Sequence, residues 1–197
     1  NLNVKILKVT NAAIIGIIRT HWESLHDESL PDYCRELGCI VERIYENLTF
    51  NIINRCDVIL VSYCYKPWLP SEIEAVKAYI ESGKSFLAIG DQLQEHVQEI
   101  LEYYGISYTG MEALVGWTTN FNHLHPIMRG VNGVYVPGWY PRAKTTFNSL
   151  KVEYPAYWIA NDSSNEHIVI AGAEVNGRVL CLSSMFDKGA LTNAKMF

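Results

Sequence analysis

Two short apolar runs, DVILVS at residues 57–62 and SFLAIG at 85–90, bracket a segment of helical periodicity, and this unit constrains the fold more than any other feature of the chain. A β-branched, aliphatic run without polar alternation suits a strand buried on both faces, as in parallel sheets covered by helices. Between the runs, Ile73, Val76 and Ile80 recur on one helical face. Ser71 and Glu74 have the spacing of a capping box, and Gly83 supplies a left-handed stop. Strand, helix, strand is the unit from which parallel sheets are built.

The alternation extends in both directions. Residues 3–10 and 13–19 are apolar runs parted by a polar break at Asn11. A polar stretch over 21–31 precedes a predicted helix at 32–37, stopped by Gly38, then a strand at 39–45 and a short helical link at 49–55. After the second buried run, Asp91 is placed to open a helix whose Leu93, Val97, Ile100, Leu101 and Tyr104 form a stripe ending at Gly105. Residues 116–141, rich in Gly, Asn, Trp, His and Pro, read as a long excursion with little regular structure. Strands are expected to resume over 150–160, and a final helix starts at 189. Residues 167–175 and 178–184 read as a hairpin turning on Asn176-Gly177, the strongest two-residue turn signal. The pattern predicts an α/β domain with a mostly parallel central sheet, in which the strands at 13–19, 57–62 and 85–90 run parallel and adjacent.

A chain of 197 residues with 49% hydrophobic content fits one domain with a single core. Its opening without Met, and its stop inside a helical pattern at Phe197, suggest a fragment of something longer. The formal charge of −5, without clustered Lys and Arg, disfavours nucleic acid. No apolar run approaches bilayer length, so no membrane insertion is expected. Cys34, Cys39, Cys56, Cys64 and Cys181 are odd in number and form no close Cys-x-x-Cys pair. That usage favours a reducing, cytoplasmic compartment, while sequons at Asn47 and Asn161 keep secretion open. No metal site and no cofactor is expected.

Three stretches carry a family likeness. The first is residues 57–92, with Leu69-Pro70-Ser71 before its helix, Gly83-Lys84 after it, and Ile89-Gly90-Asp91 closing its second strand. The second is His125-Pro126-Ile127-Met128-Arg129-Gly130-Val131, and the third runs from Gly177-Arg178-Val179 through Ser184 and Asp187 to Asn193. Together they resemble the class I glutamine amidotransferase-like superfamily in its non-catalytic branches. Similar domains occur in ThuA-like proteins, in an intraflagellar transport subunit, beside subtilisin-like proteases and ahead of enhancin-type metallopeptidases. The resemblance implies a flavodoxin-like three-layer sandwich. It also implies that the turn carrying the cysteine nucleophile of active members, where backbone N–H groups hold the oxyanion, corresponds to Ala88-Ile89-Gly90-Asp91-Gln92. Gly90 then stands at the nucleophile's place. Ser183-Ser184-Met185-Phe186-Asp187 stands where His-x-Glu would follow the last strand.

The candidate residues gather at the predicted strand ends. Asp91 is a possible acid at a carboxyl edge, where open α/β sheets bind ligands, or an N-cap, which is the favoured reading. His21, with Trp22, Glu23 and His26, could supply a ligand or catalytic group, but a loop packing its own Trp over the sheet explains the cluster too. Cys64, after Tyr63, is the cysteine placed to act as a displaced nucleophile, with Lys66 the nearby base, or it is an inert thiol. His123 and His125 could offer two imidazoles to a metal, though Pro126 and Gly130 suggest a loop that His125 anchors. Trp117, Trp139, Tyr140, Tyr154, Tyr157 and Trp158 are either a binding platform or a roof over the sheet. A binding surface would draw on Tyr63, Gly90, Asp91, Trp117, Trp139 and Ser184. Two functions follow: a non-catalytic binding module contacting a protein or carbohydrate partner, or a ThuA-like small-molecule hydrolase or isomerase using His21, Asp91 and Cys64.

Overall fold

The computed structural model describes residues 12–20, 29–62, 66–90, 97–112, 116–136 and 148–183. The apolar run at 3–10, read as half of a hairpin or as an edge strand beside the next run, and the helix expected from 189 lie outside them.

The apolar runs become strands β1 (Ile14–Ile18), β3 (Val58–Ser62) and β4 (Ser85–Ile89), with β2 (Ile40–Ile44) beside β1. They are parallel and adjacent in the order β2-β1-β3-β4, as their uninterrupted apolar character predicts. Alternate residues serve opposite faces. Ile59, Val61, Phe86 and Ala88 enter one core cluster, while Leu60, Leu87 and Ile89 enter the other. Full burial of such aliphatic and aromatic side chains contributes roughly 1.5–3 kcal/mol each.

The sheet continues with β11 (Arg178–Leu182), parallel to β4, and then reverses direction. Strand β10 (Ile168–Glu174) is antiparallel to β11 and also to β8 (Asn148–Val152) and β9 (Ala156–Asn161), and β5 (Ile106–Glu112) closes that side against β8. The nine-stranded sheet is therefore mixed, more so than a mostly parallel reading with one added hairpin anticipates. The architecture is a flavodoxin-like α/β sandwich. Helices α2 (Phe50–Ile53), α3 (Pro70–Glu81) and α4 (Gln98–Tyr103) cover the first face through Ile53, Ile73, Val76, Ile80, Ile100 and Leu101. The second face is covered by α1 (Ser29–Glu36) through Cys34. It is also covered by a 3-10 turn (Pro126–Met128) through Met128, and by the two-stranded ribbon of β6 (Gly116–Thr118) and β7 (Val134–Val136).

Several local expectations need correction. Helix α3 starts at Pro70, so the pair Ser71 and Glu74 does not form its cap. The carboxylate of Glu72, 1% exposed, instead accepts from Leu69 N at 2.8 Å and from Leu48 N at 3.0 Å. It therefore ties the helix to the preceding loop of the chain as well as capping it. The helix expected from Asp91 is described only from Gln98, with Val97 before it and Gly105 (φ +81°) after. The excursion at 116–141 holds the β6–β7 ribbon, while the strands expected over 150–160 are β8 and β9, on either side of the cis Tyr154-Pro155 bond.

The hairpin is present, but its closing pair is Glu174 and Arg178, which makes a loop of Val175, Asn176 and Gly177. A Cβ on Gly177 would lie 2.2 Å from the carbonyl oxygens of both Ile80 and Lys84. The hairpin tip seats against the end of α3, and that contact sets the loop.

Candidate functional site

The carboxyl ends of β3, β4 and β11 lie side by side. Ser62 is opposite Ile89, Ile89 is opposite Leu182, and Gly90 and Ser183 follow directly. Gly90 has φ +132°, a region that side-chain-bearing residues rarely occupy. Both its backbone groups are engaged: its N–H donates to Leu182 O at 3.0 Å, and its carbonyl accepts from the Tyr108 hydroxyl at 2.9 Å. Sγ of Cys181 lies 3.5 Å from that hydroxyl, and burial pushes this thiol up to about 12, which leaves it a protonated, inert group at neutral pH. The hydroxyls of Ser62 and Ser183, buried at 4% and 0% exposure, have no hydrogen-bond partner among the described residues. A buried hydroxyl without a partner costs roughly 1–3 kcal/mol, so a polar guest at this edge would be favoured.

Of the residues singled out from sequence, Gly90 is at this edge. His21, Tyr63, Cys64, Asp91, Trp139 and Ser184 lie outside the described residues. Trp117 is elsewhere, on β6, half exposed and packed against Tyr135 of β7 with ring centroids 5.6 Å apart. The two histidines do not converge: the His123 ring packs on Phe121 at 4.4 Å, while His125 turns to Tyr157. His125 does anchor its loop, since its Nδ1 accepts from Ile127 N at 3.3 Å at the start of the 3-10 turn. Among the described residues no three His, Cys, Asp or Glu side chains are grouped to hold a metal. No described helix is long and apolar enough to cross a membrane.

Sequence reasoning missed a hollow of about 330 Å³ at the opposite, amino-terminal edge of the same strands. Its rim is one register row, Val58, Ser85, Arg178 and Glu174, and its floor is the next row on that face, Leu87, Leu180 and Gly172. Tyr157 of β9, opposite Gly172, and the turn His125-Pro126-Ile127 form the walls. A Cβ on Gly172 would sit 3.0 Å from Ile159 Cδ1 and 3.4 Å from the Tyr157 ring, so the missing side chain lets both side chains pack down on the strand. The one signal available in the sequence was His125-Pro126-Ile127; the partners come together only through strand register.

By sequence, neither a protein-family model nor a curated protein matches the chain. Solved structures do. The IFT52 N-terminal domain superposes with a TM-score of 0.73 at 17% identity, covering 93% of each chain. A ThuA-like protein from Bacteroides uniformis gives 0.68 at 12% identity, over 100% of this chain and 94% of the other. A glutamine amidotransferase from Thermotoga maritima gives 0.62 at 14% identity, over 94% and 81%. The chain has the class I glutamine amidotransferase-like fold. The expected fold is therefore correct. The 330 Å³ hollow lies at the other end of the same strands from Gly90.

Proposed function

We propose that this glutamine amidotransferase-like chain is a binding or interaction module that contacts a protein or carbohydrate partner and performs no glutaminase chemistry. The observation that carries the reading is Gly90. It stands where the resemblance puts the nucleophile, has no side chain, and has both its backbone amide and its carbonyl engaged within the fold. The buried, protonated thiol of Cys181 offers no substitute. The shared fold with IFT52's N-terminal domain, by its name one part of a larger protein, supports the role of a module. The test is ammonia release from glutamine with and without iodoacetamide. We expect no thiol-sensitive release above buffer; release that iodoacetamide and Cys64→Ser both abolish would overturn the reading.

A second reading, a ThuA-like hydrolase or isomerase acting through His21, Asp91 and Cys64, draws support from the unpartnered hydroxyls of Ser62 and Ser183 beside Gly90. Its mark would be a turnover lost in Asp91→Asn at unchanged stability.

A further inference from the structure

The hollow at the amino edge has a floor, a donor and a neutral mouth. Leu87 and Leu180 make the floor apolar, and the Tyr157 ring, Ile159 and Ile127 line it beside Gly172. At about 330 Å³ it falls at the lower end of the range for small-molecule sites.

Its polar chemistry follows from hydrogen-bond bookkeeping. Nδ1 of His125 accepts from Ile127 N, so a neutral ring carries its proton on Nε2. That nitrogen is 3.2 Å from the Tyr157 hydroxyl oxygen, which therefore accepts from it. The hydroxyl hydrogen of Tyr157 is left to donate, and it meets no acceptor among the described residues. Burial holds the His125 imidazole below its ordinary pKa and so keeps the ring neutral at neutral pH, while the Ile127 N–H fixes the tautomer. At the mouth Glu174 and Arg178 neutralise each other, with Nε and Oε1 3.7 Å apart and both side chains exposed, so no fixed charge in the interior awaits a counter-ion.

We propose that this hollow is a ligand site for a small, uncharged, flat apolar molecule carrying one hydrogen-bond acceptor, for which an aryl ketone is the simplest representative. The ring lies on Leu87 and Leu180 beside Tyr157, and its carbonyl oxygen accepts from the Tyr157 hydroxyl. The site is separate from the Gly90 edge and stands whether or not that edge performs chemistry.

The test is a titration of the full ¹⁵N-labelled chain with acetophenone and with ethylbenzene, which has nearly the same shape but no acceptor. Saturable shifts are expected at the amides of Ile127, Tyr157, Gly172 and Leu180 with both probes. Acetophenone should bind roughly five-fold more tightly, the usual worth of one neutral hydrogen bond. Tyr157→Phe should remove that advantage and leave ethylbenzene unchanged, and Ser85→Trp at the rim should weaken both. Absence of saturable shifts at these amides, shifts mapping elsewhere, or equal affinity of the wild-type chain for the two probes would overturn the proposal. The wild-type comparison decides even if a variant fails to fold. An acetophenone advantage that survives in a folded Tyr157→Phe chain would also overturn it.

Discussion

Replacing Glu72 with Gln should destabilise the chain far more than the same change at Glu74, although Glu74 has the better capping spacing in the sequence. The Glu72 carboxylate is buried and accepts two backbone N–H groups, Leu69 at 2.8 Å and Leu48 at 3.0 Å. Hydrogen bonds to a charged acceptor are worth roughly 1.5–3 kcal/mol each, about 3–6 kcal/mol for the pair. Gln is nearly isosteric but offers one acceptor oxygen and turns an NH₂ toward the other donor. It retains about 1 kcal/mol of the interaction and forfeits roughly 2–5. In a chain of this size about 3 kcal/mol corresponds to a fall in Tm of roughly 6–12 °C. Glu74 is exposed and pairs with Lys77 at 3.0 Å, an arrangement worth about 0.3–0.5 kcal/mol. Thermal and urea unfolding of Glu72→Gln and Glu74→Gln beside the wild type measure the difference. A Glu72→Gln chain within about 1 kcal/mol of wild type would refute the reasoning, since the two-donor clamp would then contribute no more than a surface cap.

Gly16→Ala should cost about 1–3 kcal/mol by overpacking, because its Cβ would lie 2.6 Å from Cys56 Sγ and 2.9 Å from Ile44 Cδ1. Adding Cys56→Ala should restore part of the loss, and a double-mutant cycle by urea unfolding checks this. The Asp57 carboxyl is held below its ordinary pKa first by the Ile14 N–H, at 2.9 Å, and then by Lys84. Its contribution is therefore complete above the ordinary carboxylate range, about pH 4, and fades as pH falls through the lowered value. The gap in unfolding midpoint between wild type and Asp57→Asn should accordingly be wider at pH 7 than at about pH 3; a gap that grows on acidification would contradict the assignment.

The parallel half of the sheet was legible because β3 and β4 are buried on both faces, which leaves an uninterrupted apolar signature in the sequence. Local grammar failed where a distant group intervened. The capping box moved because the helix starts at Pro70, where Glu72 serves both Leu69 and the distant amide of Leu48, and at the hairpin tip Gly177 sits tight against the carbonyls of Ile80 and Lys84. Strand β5 was not foreseen, since it follows directly on the helix-stopping Gly105 and carries Gly110 within it, a composition that reads as a turn. For the site, the place of Gly90 directly after β4 could be read from the apolar run before it. The hollow could not, because its floor and rim are set by which residue of β4 stands opposite which residue of β11 and β10. That register follows from tertiary pairing rather than local pattern.

The position of β11 bears on how such a chain leaves the ribosome. The named pairings join the parallel strands β2, β1, β3 and β4 to the antiparallel strands β10, β9, β8 and β5 through β11 alone, although β11 follows all of them in sequence. Until residues 178–182 have been synthesised, β4 and β10 each present an unsatisfied edge, the kind that recruits foreign strands. The nascent chain therefore carries two half-sheets that can be stitched together only by its latest described strand. Closing it depends on long-range contacts, which form slowly, and leaves both edges open to association in the meantime.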